Sequence, residues 1–213
     1  MAARKRGIKS DHRSGKTAGT NWEDHLTRQA RAENYPARSV YKLKEIQQKF
    51  RIIKKEDVIL DLGCAPGSWL LYASSQTGPK GRVFGIDIQT VEIDLPSNVT
   101  VVQQDILEMG EDLFPKQVSG CHVILSDMAP ATTGRKDVDA FRSFELCRMA
   151  LEVSDRFLAE KGHFVCKIFQ GNEFSKFEKQ VKKRFEACRI FKPESCRKQS
   201  KEIYIIAKHK RSM

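Results

Sequence analysis

A short apolar run that breaks at a glycine turn and resumes as a helix leaves a chain few folds to adopt. Residues 60–69, Leu-Asp-Leu-Gly-Cys-Ala-Pro-Gly-Ser-Trp, make such a run. The apolar stretch over 57–62 is long enough for one buried strand and too short for a helix. A helix is predicted to start near Ser68 and run through Ser75. The pattern then repeats, with strands predicted at 82–87, 99–103, 122–127 and 162–169 and short ones near 188–191 and 202–207. Helical periodicity covers 22–50, where Val40, Leu43, Ile46 and Phe50 recur at spacings of three and four, and again 138–158 and 174–185. Strands alternating with helices mean βαβ units, and hence a mostly parallel sheet with helices on both faces.

The 213 residues suit one such domain, over 21–213. Residues 1–20 carry six lysines and arginines against one acid, with Ile8 the sole large aliphatic besides Met1, and read as a flexible basic arm. Within them Ser-Asp-His-Arg-Ser-Gly-Lys-Thr mimics a P-loop but has Ser10 where the first glycine belongs and no strand before it. The six cysteines form no Cys-x-x-Cys pair and several sit in apolar runs, so they are expected to be reduced core residues of a cytoplasmic protein with no metal site. No run approaches the length of a membrane span. A net charge of +11 favours an anionic partner such as nucleic acid.

In an open α/β sheet, ligands bind beyond the carboxyl ends of the strands, so the turn at 63–67 is a binding position by topology. A dinucleotide site wants three glycines to bring the backbone against a pyrophosphate, and this turn has two, Gly63 and Gly67. Pro66 removes a donor and no Lys or Arg stands in the loop, while Asp61 ends the strand. A cationic nucleoside fits better than an anion. Asp87 follows as a ribose acceptor and Asp105 as an acceptor for an adenine amino group, although a single aspartate in such a place is usually a cap or turn former. Adenosine joined to a sulfonium is S-adenosylmethionine.

The segments Asp-Leu-Gly-Cys-Ala-Pro-Gly-Ser-Trp, Ser-Asp-Met-Ala-Pro, Phe-Val-Cys-Lys-Ile-Phe and Ser-Cys-Arg-Lys-Gln-Ser-Lys-Glu-Ile-Tyr-Ile-Ile-Ala resemble, in this order, the FtsJ (RlmE-type) family of ribosomal RNA 2′-O-ribose methyltransferases. The resemblance runs from about Arg28 to Lys208 and leaves out the arm. It implies a Rossmann-like S-adenosylmethionine-dependent methyltransferase fold of seven strands, the last inserted antiparallel. It implies a Lys-Asp-Lys-Glu tetrad at Lys42, Asp127, Lys167 and Glu202. It places the cofactor against Gly63, Pro66, Gly67, Trp69, Asp87, Asp105 and Asp127. Many relatives have Gly-Gly-Trp where this chain has Gly67-Ser68-Trp69, a change expected to be tolerated if Ser68 is helical. The implied substrate is a uridine of large-subunit ribosomal RNA, within the large ribosomal subunit, and the implied enzyme is a cytoplasmic monomer. Transfer RNA or an mRNA cap is the alternative substrate. A dehydrogenase, or an RNA-binding protein without activity, is the alternative of another class.

The residues support the chemistry on their own. Methyl transfer requires a hydroxyl oxygen placed in line and a group to accept its proton. Lys167 ends a buried strand on the ligand side. Burial and Lys42 would lower its pKa, and Asp127 would raise it. Glu202 orients one lysine or holds the ribose. The plainer readings are a phosphate-binding lysine for Lys167, an ordinary exposed helix lysine for Lys42, a cap for Asp127 and a core residue for Trp69. Arg38, Lys44, Arg197, Lys198 and Lys201 are the expected RNA contacts, the last three because they precede Glu202 directly.

Overall fold

The computed structural model describes residues 18–106 and 118–212. The basic arm therefore lies, as far as residue 17, outside the described residues. Helices α1 (Ala18–Ala32) and α2 (Val40–Phe50) come first. They are followed by β1 (Val58–Leu62), α3 (Ser68–Thr77), β2 (Arg82–Asp87), β3 (Val99–Gln103), β4 (Cys121–Ser126), α4 (Lys136–Phe157), β5 (Leu158–Phe169), α5 (Phe174–Arg184), β6 (Phe185–Phe191) and β7 (Glu202–Lys210). The strands form one seven-stranded sheet in the order β3-β2-β1-β4-β5-β7-β6. Strands β1 to β5 pair in parallel, and β7 runs antiparallel between β5 and β6. The chain winds outward from β1 to β3, then returns to β4 on the other side of β1. The order therefore reverses between β1 and β4, which is where such sheets bind ligands.

Alternation along the strands explains why their sequences are apolar throughout. Leu60, Leu62, Ile124, Phe164, Cys166 and Ile205 face α4 and α5, in a cluster that also holds Phe144, Leu151 and Phe177. Ile59, Val83, Val123, Leu125, Val165 and Ile206 face the other layer, with Leu43 and Ile46 of α2 and Trp69 and Leu70 of α3. A strand with a helix layer on each face has no solvent side to reserve for polar residues.

Several boundaries differ from expectation; β6 starts earlier, at Phe185, and β7 runs on to Lys210. The helical stretch over 22–50 is two helices, because Pro36 disfavours the helical conformation at the residue before it. The predicted stripe survives in α2, where Val40, Leu43 and Ile46 are buried. Strand β5 begins at Leu158, directly after α4, and not at Gly162. Leu158 pairs with Cys121 before the register shifts, and Lys161 takes a positive φ of 63° there. Asp105 lies two residues past the end of β3 at Gln103. All six cysteines are free thiols, five of them buried. Among the described residues, no helix is long and apolar enough to cross a membrane.

Candidate active site

At the carboxyl ends of β1, β2 and β4 the turn after β1 is tied to its neighbours by backbone groups. The Gly63 amide donates to the Ile86 carbonyl at 2.8 Å. Asp87 accepts from the amides of Ala65 and Gln89, one on each carboxylate oxygen, at 2.8 Å each. Asp87 thus fixes the turn and keeps one lone pair per oxygen for a ligand. Gly63 has φ +76°, and a Cβ there would come within 2.5 Å of the Met128 side chain, so a side chain would force apart the loops after β1 and β4. Gly67, at φ +106°, is similarly covered by Ile93. Ser68 opens α3, and its hydroxyl exchanges two hydrogen bonds with the backbone of Ala37, at 2.8 and 3.0 Å. The residue that departs from the family pattern thereby ties α3 to the loop leading into α2.

Beside this turn lies a cavity of about 590 Å³, a size suited to a nucleoside-class ligand. Gly63, Asp87, Asp105 and Asp127 line it, with Ile86, Ile88, Ile106 and Met128 supplying apolar surface. The other three expected cofactor residues do not line it: Pro66 is exposed at the turn, and Gly67 and Trp69 are buried. Trp69 is buried, donates from Nε1 to the Ser39 carbonyl at 2.9 Å and lies 6.0 Å from the Tyr204 ring, so it braces the segment that carries Lys42. Under the floor, Asp61 is wholly buried, and neither of its carboxylate oxygens has a hydrogen-bond partner among the described residues. Burial first, then Asp127 and Asp87, push its carboxyl well above the usual range. An aliphatic in its place would gain about 1.5–3 kcal/mol from burial.

The four tetrad residues converge from α2, β5, β7 and the end of β4 in two ion pairs. Lys167 Nζ lies 3.0 Å from Asp127 Oδ1 and also donates to the Asp127 carbonyl. Lys42 Nζ lies 3.1 Å from Glu202 Oε2. Tyr204, two residues after Glu202 and so on the same side of β7, joins the pairs. Its hydroxyl donates to Asp127 Oδ1 at 2.6 Å, and Lys42 Nζ stands 6.0 Å above its ring. The sequence reading missed Tyr204, which sits inside the apolar run Ile-Tyr-Ile-Ile. Burial would lower the Lys42 pKa, but Asp127 and Glu202 outweigh it and leave the ammonium above its ordinary value. Burial would raise Asp127, but Lys167 and Lys42, helped by Tyr204, hold it below 3.8. Asp127 is therefore a fixed carboxylate that belongs to the cavity wall and to the tetrad at once.

The expected RNA contacts are spread more widely. Arg197, Lys198 and Lys201 are exposed on the segment before β7. Arg38 instead points inward and donates to the Ser195 carbonyl at 3.1 Å, holding that segment against the start of α2. Lys44 pairs with Glu33 and stands over the rings of Tyr35 and Tyr41 at 4.7 and 5.1 Å.

The FtsJ-like methyltransferase model matches residues 35–210. A "Ribosomal RNA large subunit methyltransferase E" from Desulforapulum autotrophicum is 60% identical over 185 residues, covering 87% of this chain and 91% of that one. The protein of the same name from Bdellovibrio bacteriovorus is 46% identical and covers 90% of this chain and 98% of its own. A crystal structure of a chain described as a ribosomal RNA methyltransferase, from Plasmodium falciparum, superposes with a TM-score of 0.71 at 28% identity, covering 83% of this chain and 98% of that one. These matches remove the dehydrogenase alternative and agree with the sheet order and the inserted antiparallel β7: the chain is a methyltransferase and belongs to the FtsJ-like family.

Proposed function

We propose that this enzyme methylates the 2′-hydroxyl of a ribose in large-subunit ribosomal RNA, a uridine, using S-adenosylmethionine. The observation that carries the reading is the pair of lysine–carboxylate contacts, bridged by Tyr204, that opens through Asp127 onto a nucleoside-sized cavity. The names of the relatives supply the RNA and the subunit. The carboxylates of Asp87, Asp105 and Asp127 around the cavity suit a cationic nucleoside. When bound, S-adenosylmethionine supplies a methyl carbon made electrophilic by its sulfonium.

This chain's residues then have to place the oxygen and take its proton. In its amine form, which the role of base requires, Lys167 has two N–H donors and a lone pair. The donors meet Asp127 Oδ1 and the Asp127 carbonyl, which leaves the lone pair for the acceptor hydroxyl. Lys42 is held above its ordinary pKa and stays charged near neutrality, so it serves as a fixed cation and not as the base. Lys167 receives the ribose proton as the oxygen–methyl bond forms. Glu202 keeps Lys42 in place. Arg197, Lys198 and Lys201 meet phosphates, and the enzyme acts as a cytoplasmic monomer on the large ribosomal subunit.

Substitution of Lys167 tests this assignment. Lys167→Met should bind S-adenosylmethionine normally and lose at least ~10²-fold in single-turnover transfer at saturating RNA, the scale of a lost general base. Lys42→Met should lose less. Recovery of Lys167→Met to near the wild-type rate at high RNA would make Lys167 a phosphate anchor and oppose the assignment.

A further inference from the structure

Three large apolar side chains are exposed among the described residues, and two of them, Ile88 and Phe141, line the cofactor cavity. Phe141 is 55% exposed. It also forms a wall of a second cavity, of about 460 Å³, together with Lys136, Ala140, Gln170, Asn172 and Lys201. The second cavity opens at the carboxyl end of β5. There the Gln170 amide donates to the Lys201 carbonyl at 3.0 Å, and Phe169 pairs with Glu202 of the tetrad. Phe141 thus stands on the partition between the cofactor cavity, which Asp127 lines, and a space beside the tetrad.

The walls of that space are fixed. Gly171 lies so close to α4 that a Cβ on it would come within 2.6 Å of the Ala140 methyl. Ser143 accepts from the Phe169 amide at 3.0 Å. The Phe141 ring rests against Phe144 at 6.3 Å between centroids, and Phe144 meets buried Phe177 edge-on at 6.3 Å. An aromatic ladder therefore runs from the core to the surface and ends in a ring held from below and open above. Of the charged residues lining the cavity, Asp137 pairs with Arg135 and Glu173 with Lys176. Lys136 and Lys201 have no ion-pair partner among the described residues. A preset aromatic face, two available cations and two side-chain amides are what a single unstacked nucleotide needs: a stacking surface, phosphate contacts and donors for the base edge.

We infer that the second cavity holds the nucleotide that accepts the methyl group, with its base stacked on Phe141 and its ribose directed at Lys167. The inference rests on the proposed reaction and adds to it the residue that positions the base. Stacking is indifferent to which base is presented, so Phe141 fixes position, while Gln170 and Asn172 carry base preference.

The test uses full-length enzyme and large ribosomal subunits from cells that lack this methyltransferase, titrated under single-turnover conditions. Phe141→Ala should raise the half-saturating subunit concentration ~10-fold, the size of one lost base stack. Phe141→Trp should stay within ~2-fold of wild type, and Phe141→Leu should fall between, since it keeps apolar bulk without a π face. S-adenosylmethionine affinity, measured in parallel because Phe141 also lines that cavity, should change less than subunit half-saturation in all three. The Phe141→Ala defect should be the same at about 50 and 200 mM salt, because stacking releases no counterions, whereas Lys201→Gln should flatten the salt dependence. Wild-type half-saturation in Phe141→Ala, or in Phe141→Leu, overturns the stacking role. A matching loss of cofactor affinity assigns Phe141 to the cofactor instead. A wild-type enzyme that methylates no ribose hydroxyl removes the parent reading as well, so the two failures are distinct.

Discussion

Asp127 is the residue on which the site turns. It accepts from Lys167 and Tyr204, feels the charge of Lys42 and lines the cavity beside the turn after β1. Tyr204→Phe tests this arrangement because it deletes one hydroxyl and keeps the buried ring. A hydrogen bond to a buried charged group contributes about 1.5–3 kcal/mol. The variant should lose stability on this scale at pH 7 in urea denaturation, and its transfer rate should fall ~10-fold with cofactor affinity unchanged. The pH dependence follows from the lowered Asp127 pKa. Its contribution is full above the unfolded value, near 3.8, and is lost as pH falls through the still lower folded value. The gap between wild type and Tyr204→Phe should therefore close on acidification below pH 3.8. Equal stability at pH 7 would show that the hydroxyl contributes nothing. Lys42, Asp127, Lys167 and Glu202 could be picked out through the family resemblance, and the last three also because charged residues at the ends of apolar strands are conspicuous. Tyr204 could not, because an aromatic inside Ile-Tyr-Ile-Ile reads as core and its partner is 77 residues away.

At the scale of elements, strand positions were legible because runs such as Val-Ile-Leu and Phe-Val-Cys are buried on both faces and carry one message. Element ends were less so. β5 gains Leu158 to Lys161 through pairing with β4, a non-local contact that local periodicity does not report. Lys210 is a second example. In the sequence it sits in a basic run, Lys-His-Lys-Arg, beyond the strand expected near 202–207. In the fold it is buried at the end of β7, and its Nζ donates to the carbonyls of Ser154, Asp155 and Leu158 at 2.8 Å each. These carbonyls lie at the end of α4, where helical geometry leaves acceptors unfilled. Lys210→Met keeps the length of the side chain and removes the donors. Leaving buried acceptors unsatisfied costs about 1–3 kcal/mol. In a chain of this size that lowers the melting temperature by about 2–4 °C per kcal/mol. Glu202, in the tetrad, starts the nine-residue strand that Lys210 ends. Methyl transfer at a temperature well below melting should therefore match wild type. An unchanged melting temperature would contradict the capping role.

Across the whole molecule, charge is sorted by sign. The chain carries +11, yet the cavity beside the turn after β1 is lined by Asp87, Asp105, Asp127 and Glu145 against a single arginine, Arg142, and exposed basic residues stand on the segment that enters β7. A cationic nucleoside and an anionic polymer can thus approach one end of the same sheet from different sides, with the tetrad between them. The sheet order was legible only through the family resemblance, because alternating elements fix neither the insertion of β7 nor which strand ends meet. The central claim is that this end of the sheet methylates a ribose oxygen of large-subunit ribosomal RNA. The most direct test incubates the enzyme with unmethylated large subunits and S-adenosylmethionine labelled in its methyl group, digests the RNA to nucleosides and identifies the labelled product by mass spectrometry. The expected product is one 2′-O-methyluridine per subunit, formed by wild type and not by Lys167→Met. Label on a base atom, or none in RNA, would contradict the account.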